Sequence, residues 1–238
     1  MKILNAAFLF ITLMSTAIAG DKGNIYRIPQ PYEGLYGGDA VVCRNPNNQI
    51  IRARLLDYVE ADKFYPDLSI HFMTGINDLT YFELLATKLV GISPDVFVTF
   101  RRESKKLALR FSEGTIGYQP HPDYVFVKDF KLLSVPDLGL RKPIAVAKGC
   151  KIEQLVIRYK RFDRTTYYIQ SELFNKLSPV DRRGLMLHEA LYHTFNLYYG
   201  DHDSARTRFF NRGIVAKPLN ELTPDYLEKL LQNAYVHF

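Results

Sequence analysis

Apolar and polar positions alternate or recur along the chain in blocks that predict most of its elements. Ala40-Val41-Val42-Cys43-Arg44 predicts a strand and Asn45-Pro46-Asn47-Asn48 a turn. Gln49 to Glu60 reads as the return strand of that hairpin. Leu79, Phe82, Ala86 and Leu89 recur at helical spacing behind an Asn77 or Asp78 cap. A second helix starts at Ser93-Pro94-Asp95, Ser capping and Pro in the first turn, and runs towards Lys105. Residues Leu107 to Tyr168 are turn-rich and strand-like, and there Ile152 to Tyr159 and Thr165 to Ile169 could form a hairpin around Arg161 to Arg164. Ser178-Pro179-Val180-Asp181 opens a long helix with an acid three residues after the cap, and that helix stops near Gly200. Asp201-His202-Asp203-Ser204 begins the next helix. Thr223-Pro224-Asp225 begins the last, whose apolar stripe is Tyr226, Leu227, Leu230 and Leu231. Strands grouped in the middle and helices at the end predict an α+β fold rather than alternating α/β. The expectation is one domain over residues 40–238, a small antiparallel sheet with C-terminal helices.

The N-terminus follows a different pattern. Lys2 precedes an apolar run from Ile3 to Ile18, which ends in Ala17-Ile18-Ala19. A basic start, an apolar middle and an A-x-A end predict a secretory signal peptide over 1–19, cut after Ala19. Taking 19 from the 238 residues leaves 219, of which residues 20–39 read as an irregular arm. Nearly half of the sequence is hydrophobic, with 16 Tyr and 16 Phe, enough for a sizeable core. No other apolar stretch approaches the length of a membrane span. The formal charge of +6 becomes +5 without Lys2, so a periplasmic or secreted product could favour an anionic envelope polymer or an envelope protein as partner. The basic residues are scattered and no binding motif accompanies them, so no nucleic-acid partner is expected. In an oxidising compartment the two cysteines, Cys43 and Cys150, predict one disulfide.

The candidate chemistry lies in the long helix, where Leu185 to Phe195 reads LMLHEALYHTF. It nearly matches H-E-x-x-H, in which two histidines on one helical face ligate zinc and the glutamate acts as base. His188 and His193 are five residues apart, about 140° around a regular helix, and Tyr192 stands at the usual ligand position. A one-residue π-bulge could realign them. His202, flanked by Asp201 and Asp203, is a further candidate ligand. On a metal reading His188, His193 and His202 bind zinc, while Glu189 and Tyr192 are the catalytic candidates. On the other reading Glu189, costly on an apolar helix face without a partner, is satisfied within a structural network by His193, Arg206 or Arg208. The sequence lacks a G-x-S-x-G elbow, a phosphate-binding glycine loop and a C-x-x-C pair, which argues against serine hydrolase, nucleotide-binding and thiol-redox classes.

Five spaced blocks carry a resemblance. They are Gly37-Gly38-Asp39-Ala40-Val41-Val42-Cys43, Leu55-Leu56-Asp57-Tyr58-Val59-Glu60-Ala61, Gly149-Cys150-Lys151-Ile152-Glu153-Gln154-Leu155, Leu187-His188-Glu189-Ala190-Leu191-Tyr192 and Asp203-Ser204-Ala205-Arg206-Thr207-Arg208. Together they resemble a family of exported proteins of predatory and related bacteria that has no assigned activity. The resemblance implies that Tyr192 belongs in the motif, that His193 is incidental and that Cys43 pairs with Cys150. It also implies that Glu153, Gln154, Ser204 and Arg208 gather near His188 and Glu189. The expected function is therefore an exported envelope protein, non-catalytic or binding, in which His188, Glu189 and Tyr192 form a polar network. The alternative is a degenerate zincin-like hydrolase of envelope peptides or peptidoglycan.

Overall fold

A computed structural model describes residues 34–64, 69–72, 75–112, 123–127, 146–161 and 164–237. The signal segment and residues 20–33 of the arm lie outside them. Strands β1 (Gly34–Tyr36), β2 (Asp39–Arg44) and β3 (Ile50–Leu55) come first, followed by α1 (Leu56–Phe64). Helices α2 (Asp78–Ile92) and α3 (Pro94–Ser112) precede β4 (Tyr124–Val127), β5 (Cys150–Gln154), β6 (Val156–Arg161) and β7 (Arg164–Gln170). Helices α4 (Ser171–Lys176), α5 (Pro179–Tyr199), α6 (Ala205–Val215) and α7 (Pro224–His237) complete the α+β fold.

Among the described residues two small sheets form. β3-β2-β5 is antiparallel throughout. The other, β1-β6-β7-β4, is antiparallel except for its parallel edge pair β4–β7. The chain changes sheet twice at one place. Gly37 and Gly38 link β1 to β2, Leu155 links β5 to β6, and the Gly38 carbonyl accepts the N–H groups of Leu155 and Val156 at 3.0 and 3.1 Å. A Cβ on Gly37 would lie 2.3 Å from the Val156 carbonyl oxygen, so only glycine fits this crossing.

The expected strand from Gln49 to Glu60 is cut short. Leu55 pairs with Ala40, one residue from the start of the antiparallel β2, so little partner strand lies beyond it. Helix α1 satisfies the following backbone groups instead. The expected single strand from Ile152 to Tyr159 divides at Leu155 into β5 and β6, one for each sheet. The arm expected over residues 20–39 ends in β1 and the first residue of β2. Helix α3 continues to Ser112 because Leu107 and Ala108 prolong its buried face.

The caps follow local chemistry. Asn77 accepts the Thr80 N–H at 2.8 Å, and Ser178 accepts that of Asp181 at 3.1 Å. Gly200, at φ 68°, ends α5 in the left-handed conformation. Phe97, Phe195 and Phe210 meet between α3, α5 and α6, with centroids 5.3 to 6.4 Å apart. Among the described residues no helix is long and apolar enough to cross a membrane. Cys43 and Cys150, directly opposite in β2 and β5, form the disulfide.

Candidate functional site

Helix α5 runs through the middle of the core, and residues 184–192 are buried on every side. It is α-helical throughout, without a π-bulge, so His188 and His193 point apart. His188 approaches α1: its Nδ1 lies 2.9 Å from Asp57 Oδ2. The same carboxylate oxygen accepts from Asn211 Nδ2 at 2.7 Å, and Asn211 also donates to the Gly184 carbonyl at 3.2 Å. Asp57 therefore joins α1, α5 and α6. One turn along α1, Glu60 Oε2 accepts from Arg208 Nε at 3.2 Å and from Arg212 Nη1 at 2.9 Å. Arg208 also donates to the Ser204 hydroxyl.

Glu189 turns towards the sheet crossing. Its Oε1 accepts the Gly38 N–H at 2.6 Å. A Cβ on Gly38 would come within 2.6 Å of a Leu185 methyl and 3.3 Å of Glu189 Oε1, so the bare backbone is what lets the carboxylate in. The Tyr192 ring lies 6.2 Å from that of His188 and beneath the Arg158 guanidinium, whose carbon is 4.6 Å from the ring centre. His188 and Glu189 are each 1 % exposed and Tyr192 is fully buried.

The charges follow from this packing. Burial opposes charge on His188, but the Asp57 carboxylate beside it, with help from Glu189, pushes its pKa up to about 9. Asp57 is held below the usual carboxylate range: burial would raise it, and the charge and hydrogen bond of His188 prevail. Burial raises Glu189 against His188, the Gly38 N–H and Arg158. It also raises Glu60 against Arg208 and Arg212.

The other expected residues divide. Ser204 and Arg208 join the cluster through Glu60. Glu153 is instead held by Arg44 in a two-pronged ion pair, 2.8 and 3.0 Å, half-buried on the β3-β2-β5 sheet. Gln154 stands opposite Asp39 in the same sheet. His193 is half-buried, and burial followed by the Arg158 charge pushes its pKa down to about 4; Glu103, Arg102 and Lys106 of α3 also act on it. His202 is exposed on the α5–α6 turn. Its neighbours there serve structure: Asp203 caps α6 by accepting the Ala205 N–H at 2.9 Å, and Asp201 pairs with Arg206.

Asp57, Glu60, Arg158, Asn211 and Arg212 escaped the reading of the sequence, although signals existed. Asp57 and Glu60 are acids in the apolar run Leu55 to Ala61, the argument already applied to Glu189. Arg158 alternates with Val156 on one face of β6, which marks it as inward-facing.

The donor set does not fit zinc. Tyr192 occupies the second ligand position, and the Arg158 cation lies over it. Among the described residues no three His, Cys, Asp or Glu side chains are grouped to hold a metal ion. Compared with known proteins, the chain matches no family model, no curated protein and no solved structure.

Proposed function

We propose that this is an exported envelope protein that acts by binding, in which His188, Glu189 and Tyr192 form a structural network. One observation carries the reading: these side chains are at most 1 % exposed, the polar bonds of the pair join α5 to α1 and to the β1–β2 connection, and Asn211 of α6 bonds the same Asp57 carboxylate as His188. Such placement suits a clip between elements better than a site that must admit a polymer. Export is supported by the basic, apolar and A-x-A pattern of the first 19 residues and by the disulfide. The resemblance to exported proteins of predatory bacteria points the same way.

The clip reading predicts that Glu189→Ala lowers unfolding stability by roughly 1–3 kcal/mol, because it leaves the buried Gly38 N–H without its acceptor. Urea denaturation reads this directly. A Glu189→Ala protein of unchanged stability that had lost a measurable activity would overturn the reading.

One observation favours the zincin-like alternative. His188 donates its Nδ1–H to the Asp57 carboxylate and keeps Nε2 clear of other hydrogen bonds among the described residues, as metal-ligating histidines do. Metal analysis of the purified protein decides between the two. The binding reading predicts no stoichiometric metal, and one zinc per chain that is lost in His188→Ala would establish the alternative.

A further inference from the structure

Arg44 and Glu153, on the neighbouring strands β2 and β5, line a cleft of about 610 Å³. That volume falls among those of small-molecule sites, roughly 300–1,000 Å³. The cleft lies where the β3-β2-β5 sheet meets the end of β7 and the start of α4, and no residue of the His188–Glu189 network lines it. Its walls are fixed in advance. Besides its two-pronged pair with Glu153, Arg44 donates through Nη1 to the Asn48 carbonyl at 3.1 Å. Its backbone N–H donates to the Gly149 carbonyl at 3.0 Å, and the Cys43–Cys150 disulfide ties the two strands beside it. Lys151, Gln170 and Glu172 line the same cleft, and their side chains make no hydrogen bond or ion pair among the described residues. Lys151 and Glu172 are exposed. Gln170 is only 7 % exposed, a buried amide whose donor and acceptor no described protein group meets.

We propose that this cleft binds a short peptide through its charged amino and carboxyl ends. Lys151 donates to the carboxylate, while Glu172 and the unused lone pairs of Glu153 accept from the ammonium. The Gln170 amide, both donor and acceptor, matches a peptide group between the two ends. The charge of the walls decides the class. Two cations, Arg44 and Lys151, accompany two carboxylates, Glu153 and Glu172, which disfavours a polyanion and a simple cation alike. No aromatic ring stands among the lining residues, so a sugar or a base finds no face on which to stack. The fixed Arg44–Glu153 pair keeps the ordering cost of binding low. The inference rests on the reading of this chain as a binding protein, and it gives that reading a place and a ligand class.

The test is calorimetric titration of the full mature protein with tri-alanine. N-acetyl-tri-alanine amide, which lacks both end charges, and di-N-acetylchitobiose, a neutral saccharide, serve as comparisons. Tri-alanine should saturate a single site with a Kd of about 1 mM or tighter, and the capped peptide should bind at least about tenfold more weakly. Lys151→Met and Glu172→Gln should each weaken tri-alanine about tenfold, the loss of one charge-assisted hydrogen bond. Their ligand-free thermal midpoints should stay at the wild-type value, because both side chains are exposed. No saturable heat from tri-alanine up to about 20 mM overturns the proposal. So does equal binding of the capped peptide, or tighter binding of the saccharide. Full tri-alanine affinity in both variants overturns the assignment to this cleft and leaves the binding reading intact. One bound zinc per chain would overturn that reading without altering the peptide affinity of the cleft.

Discussion

Glu189 holds its place through contact with a residue that has no side chain. The carboxylate reaches the Gly38 N–H only because glycine leaves the approach open, and Gly184 plays the same part four residues before His188. A Cβ at Gly184 would lie 2.2 Å from the Tyr58 hydroxyl, so the Tyr58 ring rests on bare helix backbone. Gly184→Ala should therefore cost about 1–3 kcal/mol by overpacking, despite the better helix propensity of alanine. Gly91, also helical but with nothing within 4 Å, supplies the contrast: alanine there should be neutral or stabilising by up to about 1 kcal/mol. Denaturation curves for the two variants check both signs. At this scale the sequence revealed that Glu189 needs a partner and that Tyr192, not His193, completes the motif face. It could not reveal that the partner is a backbone N–H 151 residues away, or that Asp57, ordinary as a first-turn acid, faces His188 across 131 residues.

Helix ends carried clear local signals, and those elements are where the sequence predicts them. Asn77, Ser178 and Gly200 each satisfy or release specific backbone groups, so their meaning needs no tertiary context. Strand ends depend on a partner. β3 stops where β2 runs out, and the stretch from Ile152 to Tyr159 breaks at Leu155 because the chain crosses between sheets there. The β2–β5 pairing is fastened by Cys43–Cys150, which closes a span of 107 residues. Replacing both cysteines with alanine should lower stability by about 3–5 kcal/mol, mostly through the freer unfolded chain. Urea denaturation of the double variant measures it, and the wild type in reductant should shift in the same direction.

For the whole molecule, the buried charges set how stability varies with pH. His188 titrates near 9 in the fold against 6.5 when free, so its contribution is complete below about pH 6.5 and is lost as pH rises towards 9. Asp57 is shifted downwards, so its share persists above its free value of 3.8 and disappears only at stronger acidity. His193 acts at the acid end: its depressed value, about 4, makes the fold lose stability as pH falls from 6.5 to 4. A His188→Gln protein should accordingly show a flatter stability profile between pH 6.5 and 9 than the wild type, and an unchanged slope there would contradict the assignment.

The α+β class was legible because periodicity and grouping of elements are local properties. The division into two sheets, and the assembly of α1, α5 and α6 around buried charges, arise from contacts that no window of sequence contains. The central claim is that the His188–Glu189 motif fastens the core together. A double-mutant cycle on stability, with Asp57→Asn, His188→Gln and the pair, measures it most directly. The account predicts a coupling of about 1–3 kcal/mol, whereas additivity within about 0.5 kcal/mol would contradict it.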